Sequence, residues 1–542
     1  MNITSHDYVI VGAGSAGCVL ANRLTEDLTC TVALLEAGGR DRSPNVRIPA
    51  AFTKLFATRY DWNYTTGPQE HLSGRRMYWP RGRGLGGSSS INAQMWVRGH
   101  PADFDAWAAT CPGWSYRDVL PYFQRAERRA GSNAGGVYGT DGRIWISELR
   151  DPNPTTVAFL AACAELGMRR LDELNQADIV GFAPTPVTQH RGRRFSAADA
   201  YLRPASRRRN LTIVTAAHAR AIVLDGTRAA GVEYHDAAGR IHRILASREV
   251  ILSAGAINSP QLLMLSGIGD PDRLRAAGLT PRHELPGVGE NLQDHLACAV
   301  TVHCRQPITL TGAESLRELA RYLLLRRGML TSNVAEAVAF TRSTPDVDAP
   351  DLELIWAPVP FLDHGRTRPP GQGLTVGVVL LQPDSRGRIS LASADPADPP
   401  IIDPGYLSAP TDAPRLRSGL RQAQQVLATE ALRAYVGPPM SPWLGGTTNT
   451  ELDEFIRGHA ETLYHPVGTC RMGTNSDAVV DPELRVHGLR HLRVVDASVM
   501  PRINRGHTNA PTIMIAERAA DLIRTSAGSV STYGATRRAE PQ

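Results

Sequence analysis

Tyr8-Val9-Ile10-Val11-Gly12-Ala13-Gly14-Ser15-Ala16-Gly17, with Glu36 closing the next apolar run, is the stretch from which the fold is read. Residues 8–11 are mostly β-branched, the pattern of a strand buried on both faces of a parallel sheet. A glycine turn follows. Ser15–Leu24 then has helical spacing, with Val19, Leu20 and Leu24 on one side, and residues 31–35 read as a second strand. Each glycine answers a different steric demand: Gly12 permits the tight turn, Gly14 lets a pyrophosphate approach bare backbone, and Gly17 lets helix and strand pack closely. The helix N-terminus offers N–H groups and the positive end of its dipole to phosphates. Glu36 stands where a carboxylate accepts hydrogen bonds from ribose hydroxyls. Strand, turn, helix, strand and acid in this order point to an ADP-bearing dinucleotide without choosing between NAD and FAD.

Outward from this stretch, 542 residues exceed one ordinary core, so two domains are expected. No apolar run is long enough to cross a bilayer. No positively charged leader precedes the first apolar segment, which is already the first strand, so a secretory signal is not expected and a cytoplasmic location is. The seven cysteines (Cys18, Cys30, Cys111, Cys163, Cys298, Cys304 and Cys470) are odd in number and lack paired metal-ligand spacing, which suits free thiols and suggests no metal site. The formal charge is +6, and Lys54 is the only lysine. Arginine clusters at 207–209 and 326–327 are offset by acids elsewhere. No basic tract is interleaved with aromatics, so a nucleic-acid partner is not expected.

Residues 40–80 form a long irregular region rich in Pro, Trp and Tyr, the kind of segment that lies over a ligand as a lid. Trp62, Tyr64 and Tyr78 are its packing anchors. Next comes Arg81-Gly82-Arg83-Gly84-Leu85-Gly86-Gly87-Ser88-Ser89-Ser90-Ile91-Asn92-Ala93. It is too rich in glycine and serine for a core strand or helix. It reads as a second backbone nest, with N–H groups and hydroxyls facing an anion or the polar edge of a ring.

These residues resemble a family. The run from Gly82 to Asn92, continuing to Asp105, is similar to the first signature of the glucose–methanol–choline oxidoreductases, FAD-dependent enzymes that mostly oxidise alcohols. Gly255-Ala256-Ile257-Asn258-Ser259-Pro260-Gln261-Leu262-Leu263-Met264-Leu265-Ser266-Gly267-Ile268-Gly269 resembles the second signature. The resemblance spans nearly the whole chain, is nearest the choline-dehydrogenase branch, and selects FAD over NAD. It implies a two-domain α/β protein: a Rossmann-like FAD-binding domain from 1–155, 190–305 and 460–525, and a substrate domain from 156–189 and 306–459. The second is expected to be an antiparallel sheet flanked by helices, and residues 526–542 are expected to form a disordered tail. Gly12, Gly14, Ser15, Ala16, Gly17, Glu36 and Ala37 are implied at the cofactor. So are Arg83, Gly84, Gly86, Gly87, Ser88, Asn92, Ala93 and Met95, and further along Ala219, Ala254, Gly255, Asp496, Ala497, Asn509 and Thr512.

Read from the residues themselves, 248–255 is a strand ending in small residues, and Ser259-Pro260 looks like a helix start. Residues 210–214 and 219–224 alternate like antiparallel strands. His295, in a further family-like stretch at 287–295, reads as structural.

The resemblance places the catalytic histidine at His465 and the second active-site residue at Asn509. Imidazole, with an ordinary pKa of about 6.5, is suited to take the hydroxyl proton of an alcohol near neutral pH. An asparagine is no base, but its amide can hold the oxygen so that the carbon faces flavin N5 for hydride transfer. His507 is a further candidate for the proton work. Some choline oxidases tether FAD through a histidine where this chain has Ile91, so the FAD is expected to be noncovalent. The expected reaction converts a primary alcohol to an aldehyde, with O2 or a quinone- or dye-type acceptor taking the electrons, in a monomer or homodimer. The alternative is a hydroxynitrile-type lyase that keeps FAD structurally. Amino alcohols, aryl or furanyl carbinols and sugar or aminoglycoside hydroxymethyl groups all remain as substrates, because the pocket-lining part of the chain is the least recognisable.

Overall fold

The structure, a computed structural model, describes residues 3–535 except Ser132 and Leu444. The glycine stretch leaves a strand, Ile3–Val11, at the centre of a seven-stranded sheet, and enters the helix Ser15–Leu24. Leu211–Thr215, Val32–Glu36, Ile3–Val11, Ile241–Leu252 and Leu492–Val494 run parallel in that sheet. Val9, Ile10, Leu34, Val250 and Ile251 are fully buried, as continuous apolar strands with helices on the faces require. Arg228–His235 and His218–Asp225 extend the sheet antiparallel at one edge. The segment at 210–214, read as antiparallel, therefore joins the parallel part beside Val32–Glu36. Alternation along a strand records which face is buried and says nothing about the direction of its neighbour.

A second seven-stranded, antiparallel sheet runs Val436–Pro439, Leu296–Cys304, Gly373–Leu380, Leu352–Ala357, Ala337–Thr341, Gly181–Pro184, with Glu461–Thr462 alongside Leu296 and Ala297. Leu296–Cys304 belongs to this sheet, and its alternating Leu, Val and Cys positions would look the same in either sheet. The helix Asp412–Leu427 packs on one face. A Cβ on its Gly419 would stand 2.4 Å from Val378 Cγ1, so glycine sets that close approach. On the other face the register brings Ala299, Gly377 and Ile355 side by side. Ala299 and Gly377 in that row are small, and all three residues line the candidate active-site cavity.

The helix Asn509–Ala535 begins at the second candidate active-site residue and packs against Ser15–Leu24. It continues past 526, into the segment expected to be disordered; residues 536–542 lie outside the described residues. The helix expected to start at Ser259-Pro260 instead spans Gly255–Leu265, with Pro260 inside it. Ser259 lies inside the helix, where its hydroxyl donates to Asp496 Oδ2 at 2.5 Å and accepts from Ala254 N–H at 3.1 Å.

Candidate active site

A cavity of about 660 Å³ is lined from both sheets. Glu36 and Ala37 stand on its wall together with Gly12, Gly14, Ser15 and Ala16. The Glu36 carboxylate is buried and accepts three backbone hydrogen bonds: from Ala13 N–H at 2.9 Å, Gly38 N–H at 2.8 Å and Gly84 N–H at 2.9 Å. Burial pushes its pKa up, against those three donors and Arg83. Glu36 thus ties the two glycine-rich stretches together.

Those stretches interlock backbone to backbone. Gly86 N–H donates to Ala13 O at 2.8 Å and Leu85 N–H to Gly39 O at 3.1 Å. A Cβ on Gly87 would stand 2.7 Å from Gly14 Cα, and one on Gly17 would stand 1.9 Å from Gly12 O. Many of the polar groups of the second stretch, expected to face an anion or the polar edge of a ring, are spent on its own packing, while Gly87, Ser88, Asn92 and Ala93 line the cavity. Gly82 N–H goes to Ser88 Oγ and Gly87 N–H to Gly84 O, while the Ser89 and Ser90 hydroxyls go to Gly86 O and Leu85 O. Its glycines are spent on close packing and on positive φ at Gly84, Gly86 and Gly87. The first-turn N–H groups of Ser15–Leu24, which no helix can satisfy internally, stay open to a phosphate, with Ser88, Asn92 and Ala93 beside them on the cavity wall.

All the residues expected at the cofactor stand on the cavity wall except Gly17, Arg83, Gly84 and Gly86. These four act from behind it. Gly17 and Gly86 set backbone approaches, Gly84 donates to Glu36, and the Arg83 guanidinium lies 4.9 Å from the centre of the Trp62 ring. Asp496 is on the wall, but its carboxylate accepts from Gly255 N–H at 2.8 Å, Ser259 Oγ and Ser498 N–H at 2.8 Å, and thereby holds the Ala254–Gly255 turn. Asn92 Oδ1 accepts from Arg194 at 2.7 Å. The glycine cradle, the free helix N-terminus and the long wall suit a dinucleotide as large as FAD. At the position of the tethering histidine, Ile91 is buried on the wall. Denaturing the yellow protein should accordingly release its colour to the supernatant; colour that stays with the precipitate contradicts a noncovalent flavin.

At the far end His465, His295 and His507 come together. His465 Nδ1 lies 2.9 Å from His295 Nδ1, and His295 Nε2 lies 3.1 Å from Leu381 O. A carbonyl only accepts, so His295 carries its proton on Nε2 and presents a bare Nδ1. That nitrogen must receive the Nδ1 proton of His465. Nε2 of His465 is then the free lone pair of a ring that lines the cavity. Burial, and then the neighbouring imidazoles of His507 and His295, hold the pKa of His465 well below the ordinary value. Burial, followed by His507, lowers that of His295 to about 3. The backbone N–H of His465 donates to Asp294 Oδ1 at 2.6 Å, and Asp294 Oδ2 accepts from Thr462 at 2.6 Å and from Tyr406. His295, read as structural, is thus bonded to the candidate base itself.

The His507 ring is nearly perpendicular to that of His465, with centroids 4.8 Å apart, and its Nε2 lies 3.0 Å from Oε1 of fully buried Glu353. The Asn509 carbonyl oxygen accepts from Ser15 Oγ at 2.6 Å, which leaves the amide NH2 as the part of the side chain that can meet a substrate oxygen. Phe52, Phe56, Val334, Ile355, Phe361, Asp363 and Glu461 also line the cavity. None was singled out from sequence as a wall residue, because they come from lid turns and alternate strand positions that carry no motif. Burial, and then Asp363, push the Glu461 carboxyl up to about 7.

GMC oxidoreductase family models match residues 6–297 and 383–516. The chain is a GMC oxidoreductase. It is 44% identical over 534 residues to human mitochondrial choline dehydrogenase, covering 96% of this chain and 90% of that one. To the alcohol dehydrogenase [acceptor] of Pseudomonas putida it is 43% identical over 530 residues, covering 96% and 95%. An Aspergillus oryzae formate oxidase variant, studied for FAD modification, superposes with a TM-score of 0.92 at 28% identity, covering 97% of this chain and 99% of that one. As a member of this family the protein is an FAD-dependent oxidoreductase with the mixed α/β fold of its relatives. No helix among the described residues is long and apolar enough to cross a membrane.

Proposed function

We propose that this GMC oxidoreductase oxidises a primary alcohol to an aldehyde, with His465 as the base. The observation that carries the reading is the hydrogen-bond chain Leu381 O, His295, His465, which leaves a neutral imidazole with a bare Nε2 on the cavity wall. That nitrogen takes the hydroxyl proton. The Asn509 amide, its oxygen held by Ser15, donates to the substrate oxygen and fixes the carbinol in line. Bound FAD supplies the two-electron acceptor for the hydrogen that leaves the carbon. His507, oriented by Glu353, stands beside the same oxygen-binding corner. Kinship with proteins named choline and alcohol dehydrogenases supports oxidation over the lyase reading. Kinship with choline dehydrogenase, together with the aromatic rings on the wall, favours an amino alcohol.

Anaerobic mixing of the yellow holoenzyme with amino alcohols, aryl or furanyl carbinols and sugar hydroxymethyl compounds tests this reading. Bleaching is expected with amino alcohols first. A flavin that stays yellow with every alcohol while a cyanohydrin is cleaved would overturn it. Oxygen uptake with and without a dye acceptor then separates oxidase from dehydrogenase. Because the base has a lowered pKa, it stays unprotonated to well below pH 6.5, and kcat/KM for the best substrate should be flat through pH 6. An acid limb at or above 6.5 would speak against a buried, neutral His465.

A further inference from the structure

The helix Leu316–Leu325 is turned inside out. Leu316 is 85% exposed and Leu324 82%, while Leu325, Leu323 and Leu319 are 62%, 55% and 38% exposed. Buried instead are Glu318 and Tyr322. With 3.6 residues per turn, Leu316, Leu319, Ala320 and Leu323 fall at i, i+3, i+4 and i+7 and form one stripe opposite that buried pair, with Leu324 at its margin. The inner side is fixed by specific contacts. Glu318 accepts from Met329 N–H at 2.9 Å, the Tyr322 hydroxyl donates to Arg47 O at 3.3 Å, and the Ser315 hydroxyl accepts from Glu318 N–H. The helix therefore cannot roll its leucines inward, and a contiguous apolar stripe in water marks an interaction surface.

The charge beside the stripe indicates what covers it. Arg317 is exposed and forms no ion pair among the described residues, and Arg326 lies over the Tyr322 ring at the helix end. Arg321 and Arg327 reach only Asp151 and Glu318, at 3.2–3.8 Å, from exposed positions. A second copy meeting this face across a two-fold axis would bring arginines against arginines. An anionic lipid surface accepts both the leucines and the guanidinium groups. The face also adjoins the active-site cavity: Leu310 and Met329, on either side of the helix, pack in one cluster with Phe52 and Phe56 of the cavity wall.

We propose that the helix Leu316–Leu325 docks the holoenzyme on the anionic surface of a phospholipid bilayer, with its leucine stripe at the acyl boundary and its arginines at the phosphates. The inference stands independently of which alcohol is oxidised. Flotation of the FAD-loaded protein with vesicles tests it. The wild type should float with mixed phosphatidylglycerol–phosphatidylcholine vesicles, and less so in high salt or with phosphatidylcholine alone. The combined substitution Leu319→Ser, Leu323→Ser, Leu324→Ser should lower partitioning on the order of 100-fold with flavin absorbance unchanged. Arg317→Glu should lower it several-fold. If the triple variant loses its flavin, Leu324→Ser and Arg317→Glu alone decide the question. Wild-type protein that floats with no vesicle, or variants that float as well as wild type, would overturn the proposal. So would leucine variants that convert a dimer to a monomer, which would assign the stripe to a second copy.

Discussion

Replacing His465 with alanine is expected to lower kcat/KM by about 10²–10⁴ while leaving the protein yellow. The effect should be large because the neighbouring imidazoles are tied to other partners, leaving only one ring nitrogen of His507 open at this corner. His295 uses both ring nitrogens, on His465 and Leu381 O, and His507 has one nitrogen committed to Glu353. The flavin should stay because His465 is held by its backbone through Asp294, and neither residue takes part in the hydrogen bonds that tie the two glycine stretches together. Stopped-flow reduction under anaerobic conditions measures the step directly. Near-normal reduction in a fully flavinated variant would remove His465 as the base. Loss of flavin together with activity would make the residue a structural one.

The second large effect is expected at Glu36. Glu36→Ala leaves the N–H groups of Ala13, Gly38 and Gly84 without an acceptor in a buried place, at a cost of about 1–3 kcal/mol each. It also frees the two glycine stretches whose spacing defines the phosphate end of the cavity. The variant should purify largely colourless, with a lowered melting temperature that added FAD restores only partly. Glu36→Gln should fall between the two. One oxygen still serves Gly38 and Gly84, but the amide NH2 then confronts the Ala13 N–H. Flavin content and melting temperature across the three proteins check this. Equal flavin retention in all three would mean that the three backbone hydrogen bonds to Glu36 do not hold the cofactor end of the cavity.

Both effects start from residues that the sequence picked out, for reasons it did not contain. Strand, glycine turn, helix and acid are local, and each is dictated by backbone geometry within about thirty residues. The turn and the helix Ser15–Leu24 were therefore legible. The two long signatures sufficed for family and cofactor. The direction of the strand Leu211–Thr215, the membership of Leu296–Cys304 in the second sheet and the true start of the helix Gly255–Leu265 were not legible. Each depends on a partner far along the chain, and local periodicity carries no record of that partner.

At the site the division is the same. Sequence named His465, Asn509 and Glu36, and with them a dinucleotide and an alcohol. Only the tertiary structure decided that His295 fixes the tautomer of His465, that Ser15 turns the Asn509 amide, that Glu36 fastens two loops, and that the helix Leu316–Leu325 faces its leucines outward. Residue type sets what a group can donate or accept. Which groups meet, and which are left facing water, is settled by contacts between segments hundreds of residues apart, where burial gives each hydrogen bond its weight.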